Sequence, residues 1–162
     1  MAILPPCLKF GIDPQTFDLG PGHYVEVSRR GIAVEFEGKL EEQDIPNCPQ
    51  QVPLVRYTRF AAPPASDGQP RHLIEFFIWK EGDVSGQRGR ALEWWVGEVV
   101  GPKFNYLATE LLVQEPGSIW PVRGVPGAIN VHFGWNKRGE ATYTITGLDR
   151  ELTGVLPTAQ QH

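Results

Sequence analysis

The chain has 162 residues, of which 41% are apolar and 21% are charged, and its formal net charge is −4. This length fits one domain, and the composition is that of a globular protein, which excludes wholesale disorder. The acidic balance gives no basic footprint, so we expect no nucleic-acid partner. The apolar runs fall far short of the roughly 18 residues of a membrane span, so we expect no membrane partner.

The N-terminus lacks a basic start followed by an apolar stretch, so no signal peptide is visible. We therefore expect a cytoplasmic protein, and a secreted mature form whose leader has been removed stays open. Cys7 and Cys48 are too few for a disulfide framework in a chain of this size. Two free thiols are the default prediction, and one bridge between these cysteines is the alternative.

Prolines divide the chain into segments, because proline cannot donate to a sheet ladder and is rare in inner strands. Residues 1–22 are predicted to be an irregular arm. Tyr24–Ser28 and Ile32–Glu37 alternate apolar and polar residues around an Arg-Arg-Gly turn, which predicts a hairpin. Leu40–Val52 contains two prolines and several acids and is predicted to be a loop, whereas Leu54–Ala61 is predicted to be a strand.

The span from His72 to Val113 carries three of the five tryptophans and is typical of long strands rich in aromatic side chains. Strands this apolar must be covered on one face or both. Within and beyond this span, two segments allow a helical alternative. Residues 104–114 fit a strand as well as a helix, and residues 147–152 fit a single helical turn.

A second hairpin is predicted from Ile129–Trp135 and Glu140–Thr146, with asparagine first and glycine fourth in the turn between them. This pattern suits a type I turn closed by a glycine in the left-handed region. One face of the hairpin is then wholly apolar and the other is polar. The predicted register opposes Trp135 to Gly139, Phe133 to Ala141, Val131 to Tyr143 and Ile129 to Ile145.

These elements predict a single all-β domain over residues 1–162, with a short C-terminal tail at residues 154–162. The architecture favoured by the sequence is a closed antiparallel β-barrel of about eight or nine strands, comparable in size to a lipocalin barrel. A β-sandwich is the alternative.

The sequence lacks the short motifs that commonly identify a catalytic or nucleotide-binding site. It contains no glycine-rich phosphate loop, paired CxxC, HExxH or GxSxG pattern. The four histidines show no local spacing typical of metal ligands. We therefore expect neither a metal ion nor a cofactor.

The best candidate site lies on the two most aromatic strands. If they are antiparallel neighbours whose uniformly apolar faces match, Glu75 and Glu93 share the opposite face with Phe77, Trp79 and Trp95. A carboxylate buried without a partner resists ionisation, a property that suits acid–base catalysis. We therefore predict that the two glutamates are catalytic and that the three aromatic residues bind a ligand. The alternative is a structural role in which the glutamates pair with Lys80, Arg90 or Arg56.

Two further residues are candidates for ligand binding. Trp120 lies between prolines, where a large aromatic side chain could cap a cavity or stack on a sugar, and a lid over the core is the plainer interpretation. His132 lies on the polar face of its hairpin, where a lone histidine is more often exposed or structurally hydrogen-bonded than catalytic.

The function predicted from these features is binding of a hydrophobic small molecule in an aromatic-lined barrel cavity. Such a cavity could promote a cyclisation or isomerisation by its shape and one acid–base carboxylate. The first alternative is a carbohydrate-binding module or lectin. The second is a non-enzymatic interaction or oligomerisation module, with a homodimer left open.

Overall fold

The computed structural model describes residues 13–45, 49, 51–117 and 124–158. Within these ranges the protein is all-β and contains no helix. We accordingly find among them no helix with the length and apolar character needed to cross a bilayer. The described strands are β1 (Gln15–Gly20), β2 (His23–Ser28), β3 (Gly31–Phe36), β4 (Lys39–Gln43), β5 (Gln51–Phe60), β6 (Arg71–Val84), β7 (Gln87–Val100), β8 (Lys103–Pro116), β9 (Asn130–Trp135), β10 (Ala141–Thr146) and β11 (Leu152–Val155).

These strands form three antiparallel sheets. The first sheet has the order β1-β2-β3-β4, the central sheet β5-β6-β7-β8 and the third sheet β11-β10-β9. None of the three closes on itself, so the predicted barrel is not confirmed. A sandwich-like arrangement, which was the alternative, fits the stacked sheets.

The central sheet is covered on both faces. The first sheet packs on one face in a cluster that joins Val25 and Ile32 to Phe76. The third sheet packs on the other face, where Ile145 and Trp94 belong to one buried cluster. Every residue from Leu73 to Trp79 is consequently buried, because side chains on both faces of β6 meet another layer. This double burial is why β6 reads as a continuous apolar run rather than as an alternating one.

Both predicted hairpins are present. In the second, the Gly139 amide donates to the Asn136 carbonyl oxygen at 3.0 Å and Gly139 has φ 77°, as predicted for its turn. The predicted register is wrong by two residues, since Trp135 lies opposite Ala141. The loop consists of three residues and Asn136 pairs with Glu140, which moves the partner strand along by two. An even shift keeps every side chain on its predicted face.

Three strands lie in segments predicted to be irregular. β1 falls within the predicted N-terminal arm, β4 lies in the predicted loop over residues 40–52 except for its first residue, and β11 extends into the predicted tail. β4 is exposed along its whole length, so it lacks the alternation that reveals a half-buried strand. It follows β3 through a turn at Glu37 and Gly38, both with positive φ. Residues 103–116 form a strand, and residues 147–150 form bends rather than a helical turn.

Candidate functional site

Glu75 is the most deeply buried charged residue among those described, with 2% of its surface exposed. Its Oε1 accepts hydrogen bonds from Arg56 Nη2 at 3.0 Å and from Trp94 Nε1 at 2.9 Å. The Arg56 guanidinium also lies over the Phe77 ring, 5.1 Å from its centroid. The carboxylate therefore has a matched charge and a second donor, and it links β5, β6 and β7 within the packed layer.

Glu93 has a similar arrangement on the other side of the central sheet. Its Oε1 lies 2.8 Å from Lys80 Nζ and accepts a hydrogen bond from Trp95 Nε1, also at 2.8 Å. Lys80 Nζ is 5.7 Å from the centroid of the Trp95 ring, within the range of a cation–π contact. Arg56 and Lys80 are two of the pairing partners that the structural alternative named.

The prediction that Glu75 and Glu93 share a face is wrong. Glu75 lies opposite Val96 and Glu93 lies opposite Ile78, so the two carboxylates point to opposite faces of the central sheet. The turn between β6 and β7 is the cause. Ser85 and Gly86, with φ 53° and 79°, make a two-residue loop that pairs Val84 with Gln87. Odd-numbered residues of β6 therefore share a face with even-numbered residues of β7.

The predicted ligand-binding aromatic residues are divided by the same register. Phe77 and Trp79, 1% and 3% exposed, are packed between the central and third sheets with Trp94. Trp79 Nε1 donates to the Gly124 carbonyl oxygen at 2.8 Å. Trp95 instead packs between the central and first sheets. These rings contact neighbouring layers, so they do not line the shared hollow that the sequence predicted.

The other two candidates lie elsewhere. His132 is exposed on the outer face of the third sheet, opposite Thr144 of β10. The third sheet therefore lies between the His132 side chain and the buried cluster that contains Phe77, Trp79 and Trp94. Trp120 lies outside the described residues, as do Cys7 and Cys48.

A cleft of about 370 Å³ opens where one end of the central sheet meets the third sheet. We call it the Arg71–Glu98 cleft. It is the largest of three described cavities, the others measuring about 280 and 170 Å³. Its lining includes Arg71, Glu98, Trp135, Glu140, Val155 and Pro157.

An ion pair forms part of the lining of this cleft. Arg71 Nε donates to Glu98 Oε2 at 3.0 Å, and Nη2 donates to Oε1 at 2.7 Å. The side chains are only 16% and 9% exposed. Such a two-point contact fixes the orientation of both groups and is among the stronger hydrogen-bonded pairs. Arg71 Nη2 also donates to the Pro157 carbonyl oxygen at 2.8 Å, which holds the segment after β11 against the central sheet.

The wall of the cleft is mainly apolar. Trp135 stacks on Phe60 with ring centroids 4.5 Å apart and planes 14° apart, so one side of its indole is covered and the rest contributes to the cleft. Val155, which is 48% exposed, lines the same space. Glu140 adds one carboxylate, whose Oε1 accepts a hydrogen bond from Asn136 Nδ2 at 3.0 Å.

Arg71, Glu98 and Trp135 were not predicted from the sequence as site residues. One signal was present, since Glu98 continues the alternation that begins with Leu92 and places a charge at the end of an apolar face. The pairing of Leu73 with Glu98 brings Arg71 close to that carboxylate, so the ion pair could be found only with the correct register. The Ser85–Gly86 turn was the clue that would have supplied it.

Comparisons with protein-family models, with curated proteins and with solved structures found no match to this chain. Two features of the molecule itself bear on its function. The aromatic interior is filled by stacked sheets, and the Arg71–Glu98 cleft combines an apolar wall with an oriented ion pair.

Proposed function

We propose that the protein binds a small, largely apolar molecule in the Arg71–Glu98 cleft. The observation that supports this proposal is a cleft of about 370 Å³ whose lining is mainly apolar and includes a nearly buried, two-point ion pair. Ligand sites commonly have this composition, in which apolar walls supply affinity and a few oriented polar groups supply specificity. The proposal keeps the ligand class predicted from the sequence and moves its site from a barrel interior to the end of a sandwich.

The size of the cleft limits the ligand. Pockets for drug-sized molecules occupy about 300–1,000 Å³, and this cleft lies near the lower limit. We therefore propose a ligand with one or two fused rings, of which one ring lies against Trp135.

The charges in the cleft restrict the polar group of the ligand. Arg71 and Glu98 neutralise each other, and Glu140 adds a negative charge, so an anionic ligand is disfavoured. A hydroxyl or amide group can donate to the Glu98 carboxylate and accept from the guanidinium at once. We propose a neutral ligand that carries such a group at one edge.

Binding rather than turnover is the activity that these contacts favour. Glu75 and Glu93 each hold a cation and an indole N–H, so we propose structural roles for both. For a cyclisation or isomerisation, the carboxylate to test is Glu98, because it is the buried acid that lines the cleft.

The proposal can be tested with three matched probes: 1-naphthol, naphthalene and 1-naphthoate. We expect 1-naphthol to quench tryptophan fluorescence at the lowest concentration and 1-naphthoate at the highest. Trp135→Ala should weaken 1-naphthol binding about tenfold or more, since a stacked aromatic wall is lost. Leu40→Ala is the control, because Leu40 is 59% exposed on the first sheet. Equal binding of all three probes, or equal binding by Trp135→Ala and Leu40→Ala, would contradict the assignment.

Native mass spectrometry of the purified protein distinguishes the alternatives. A retained small ligand supports the proposal, whereas a stable dimer without ligand supports an oligomerisation module. Retention on immobilised polysaccharide, with no response to the naphthalene probes, supports a carbohydrate-binding module.

A further inference from the structure

Two histidines from different sheets meet between the first and central layers. His23 lies on β2 and His72 on β6, and their ring centroids are 5.8 Å apart with planes at 77°. Both side chains are partly buried. They are distant in sequence, so local spacing could not reveal the pair.

Among the described residues, each ring has one nitrogen in a hydrogen bond and a second nitrogen with no hydrogen-bond partner. His23 Nε2 lies 2.8 Å from the Gly101 carbonyl oxygen. A carbonyl can only accept, so the proton is on Nε2 and the neutral ring keeps a lone pair on Nδ1. His72 Nδ1 lies 2.8 Å from the Tyr57 hydroxyl oxygen. A phenol can accept, so the tautomer protonated at Nδ1 preserves this bond and leaves a lone pair on Nε2.

This hydrogen-bond pattern is the one that orients metal-bound imidazoles. A histidine ligand usually donates its second N–H to a carbonyl or another acceptor, which fixes the tautomer and the ring direction. The Tyr57 phenol oxygen can accept this hydrogen bond. Gly101 and Tyr57 therefore act as orienting groups for the two rings.

The separation of the rings suits one bridging ion. Zinc lies about 2.0–2.1 Å from a histidine nitrogen, which places it about 3.2 Å from the ring centroid. A tetrahedral angle at the ion then separates the two centroids by about 5.2 Å. The observed 5.8 Å requires a small inward movement or a wider angle.

We propose that His23 and His72 form a site for a divalent transition-metal ion of the zinc class, which would link the first sheet to the central sheet. Among the described residues no group of three or more His, Cys, Asp or Glu side chains forms a metal site, so water completes the coordination. The ion therefore binds more weakly than in a four-ligand structural site and exchanges readily. This proposal is independent of the ligand proposed for the Arg71–Glu98 cleft.

The test is isothermal titration of the full-length, untagged protein with zinc chloride at pH 7.5, in parallel with the variants His23→Asn, His72→Gln and Tyr57→Phe. We expect each histidine variant to weaken zinc binding at least about tenfold. Tyr57→Phe keeps both ligands and removes one orienting bond, so a smaller loss is expected. His132→Ala is the matched control, because His132 is an exposed histidine on the outer face of the third sheet, and it should bind zinc like the wild-type protein.

A second measurement covers the case in which a histidine variant fails to fold. In the wild-type protein, zinc should shift the side-chain ¹⁵N resonances of His23 Nδ1 and His72 Nε2 more than those of His132. Lowering the pH to about 4.5 should abolish the shift, because protons then compete for the same lone pairs. Absence of zinc binding at millimolar concentration, or zinc shifts confined to other histidines, overturns the proposal.

Discussion

The pair of Arg56 and Glu75 allows a sharp test of how the central sheet is held together. The two partners differ in exposure, since the Arg56 side chain is 39% exposed and that of Glu75 is 2% exposed. Removing either charge breaks the same ion pair, but only one removal leaves a charge away from water. We therefore expect Arg56→Met to destabilise the protein more than Glu75→Gln does.

The magnitudes follow from what each variant leaves behind. Arg56→Met leaves a buried carboxylate with only the Trp94 N–H as donor, and removing one partner of a buried pair costs about 3–5 kcal/mol. It also removes the cation–π contact with Phe77, which contributes about 0.5–1 kcal/mol. The Arg56 Nε atom is buried without a hydrogen-bond partner among the described residues, and its loss offsets part of this cost. We expect a net loss of about 3 kcal/mol for Arg56→Met and about 1–2 kcal/mol for Glu75→Gln.

Urea unfolding at pH 7.5, followed by tryptophan fluorescence, measures these free energies. The double variant Arg56→Met/Glu75→Gln should lose less than the sum of the single losses, because the carboxylate that Arg56→Met leaves unpaired is then absent. Equal losses from the two single variants, or strict additivity in the double variant, would refute the reasoning. Either result would mean that the burial of Glu75 does not depend on its guanidinium partner.

Gly97→Ala should lower the free energy of unfolding by about 1–3 kcal/mol, the usual cost of overpacking a core. A Cβ at this position would lie 2.2 Å from Cζ of Phe104, and the Phe104 side chain is only 5% exposed. Thermal unfolding measures this loss, and the double variant Gly97→Ala/Phe104→Leu should recover part of it if the clash is the cause. A second prediction concerns pH: burial, then the charges of His23 and Arg59, lower the pKa of His72, so the unfolded chain binds a proton at higher pH than the folded protein. The stability contributed by the neutral ring should therefore be complete above about pH 6.5 and decrease as the pH falls further. Urea unfolding at about pH 7.5 and 5.5 measures this loss, and the loss that His72 causes should be absent in His72→Gln.

The parts of the fold that the sequence predicted are those in which burial and turn chemistry act together. The hairpin of β9 and β10 has an apolar face and an Asn-to-Gly turn, and its faces are as predicted. β4 could not be predicted in the same way, because it is exposed throughout and pairs with β3 at the edge of the first sheet. Its only local signal is the Glu37–Gly38 turn, which has no apolar alternation after it.

The shared face predicted for Glu75 and Glu93 was wrong for a related reason. Matching two uniformly apolar faces assumes that only one face of the sheet is buried, whereas the first and third sheets cover both faces of the central sheet. Burial then no longer selects the register, since either alignment places apolar side chains in a packed layer. The two-residue turn at Ser85 and Gly86 decides instead, and it separates Glu75 from Glu93.

Double coverage also limits where the central sheet can bind a ligand. When both faces of a sheet are filled, the surfaces left for a ligand are its ends and its edges. Both proposed sites lie at the same end of the central sheet, where Arg71 and His72 are adjacent and point to opposite faces. Arg71 contributes to the cleft beside the third sheet, and His72 meets His23 of the first sheet. A change in the position of β6 at this end would therefore reach both sites, so zinc bound by the histidines should alter the affinity of the cleft for 1-naphthol only if β6 moves.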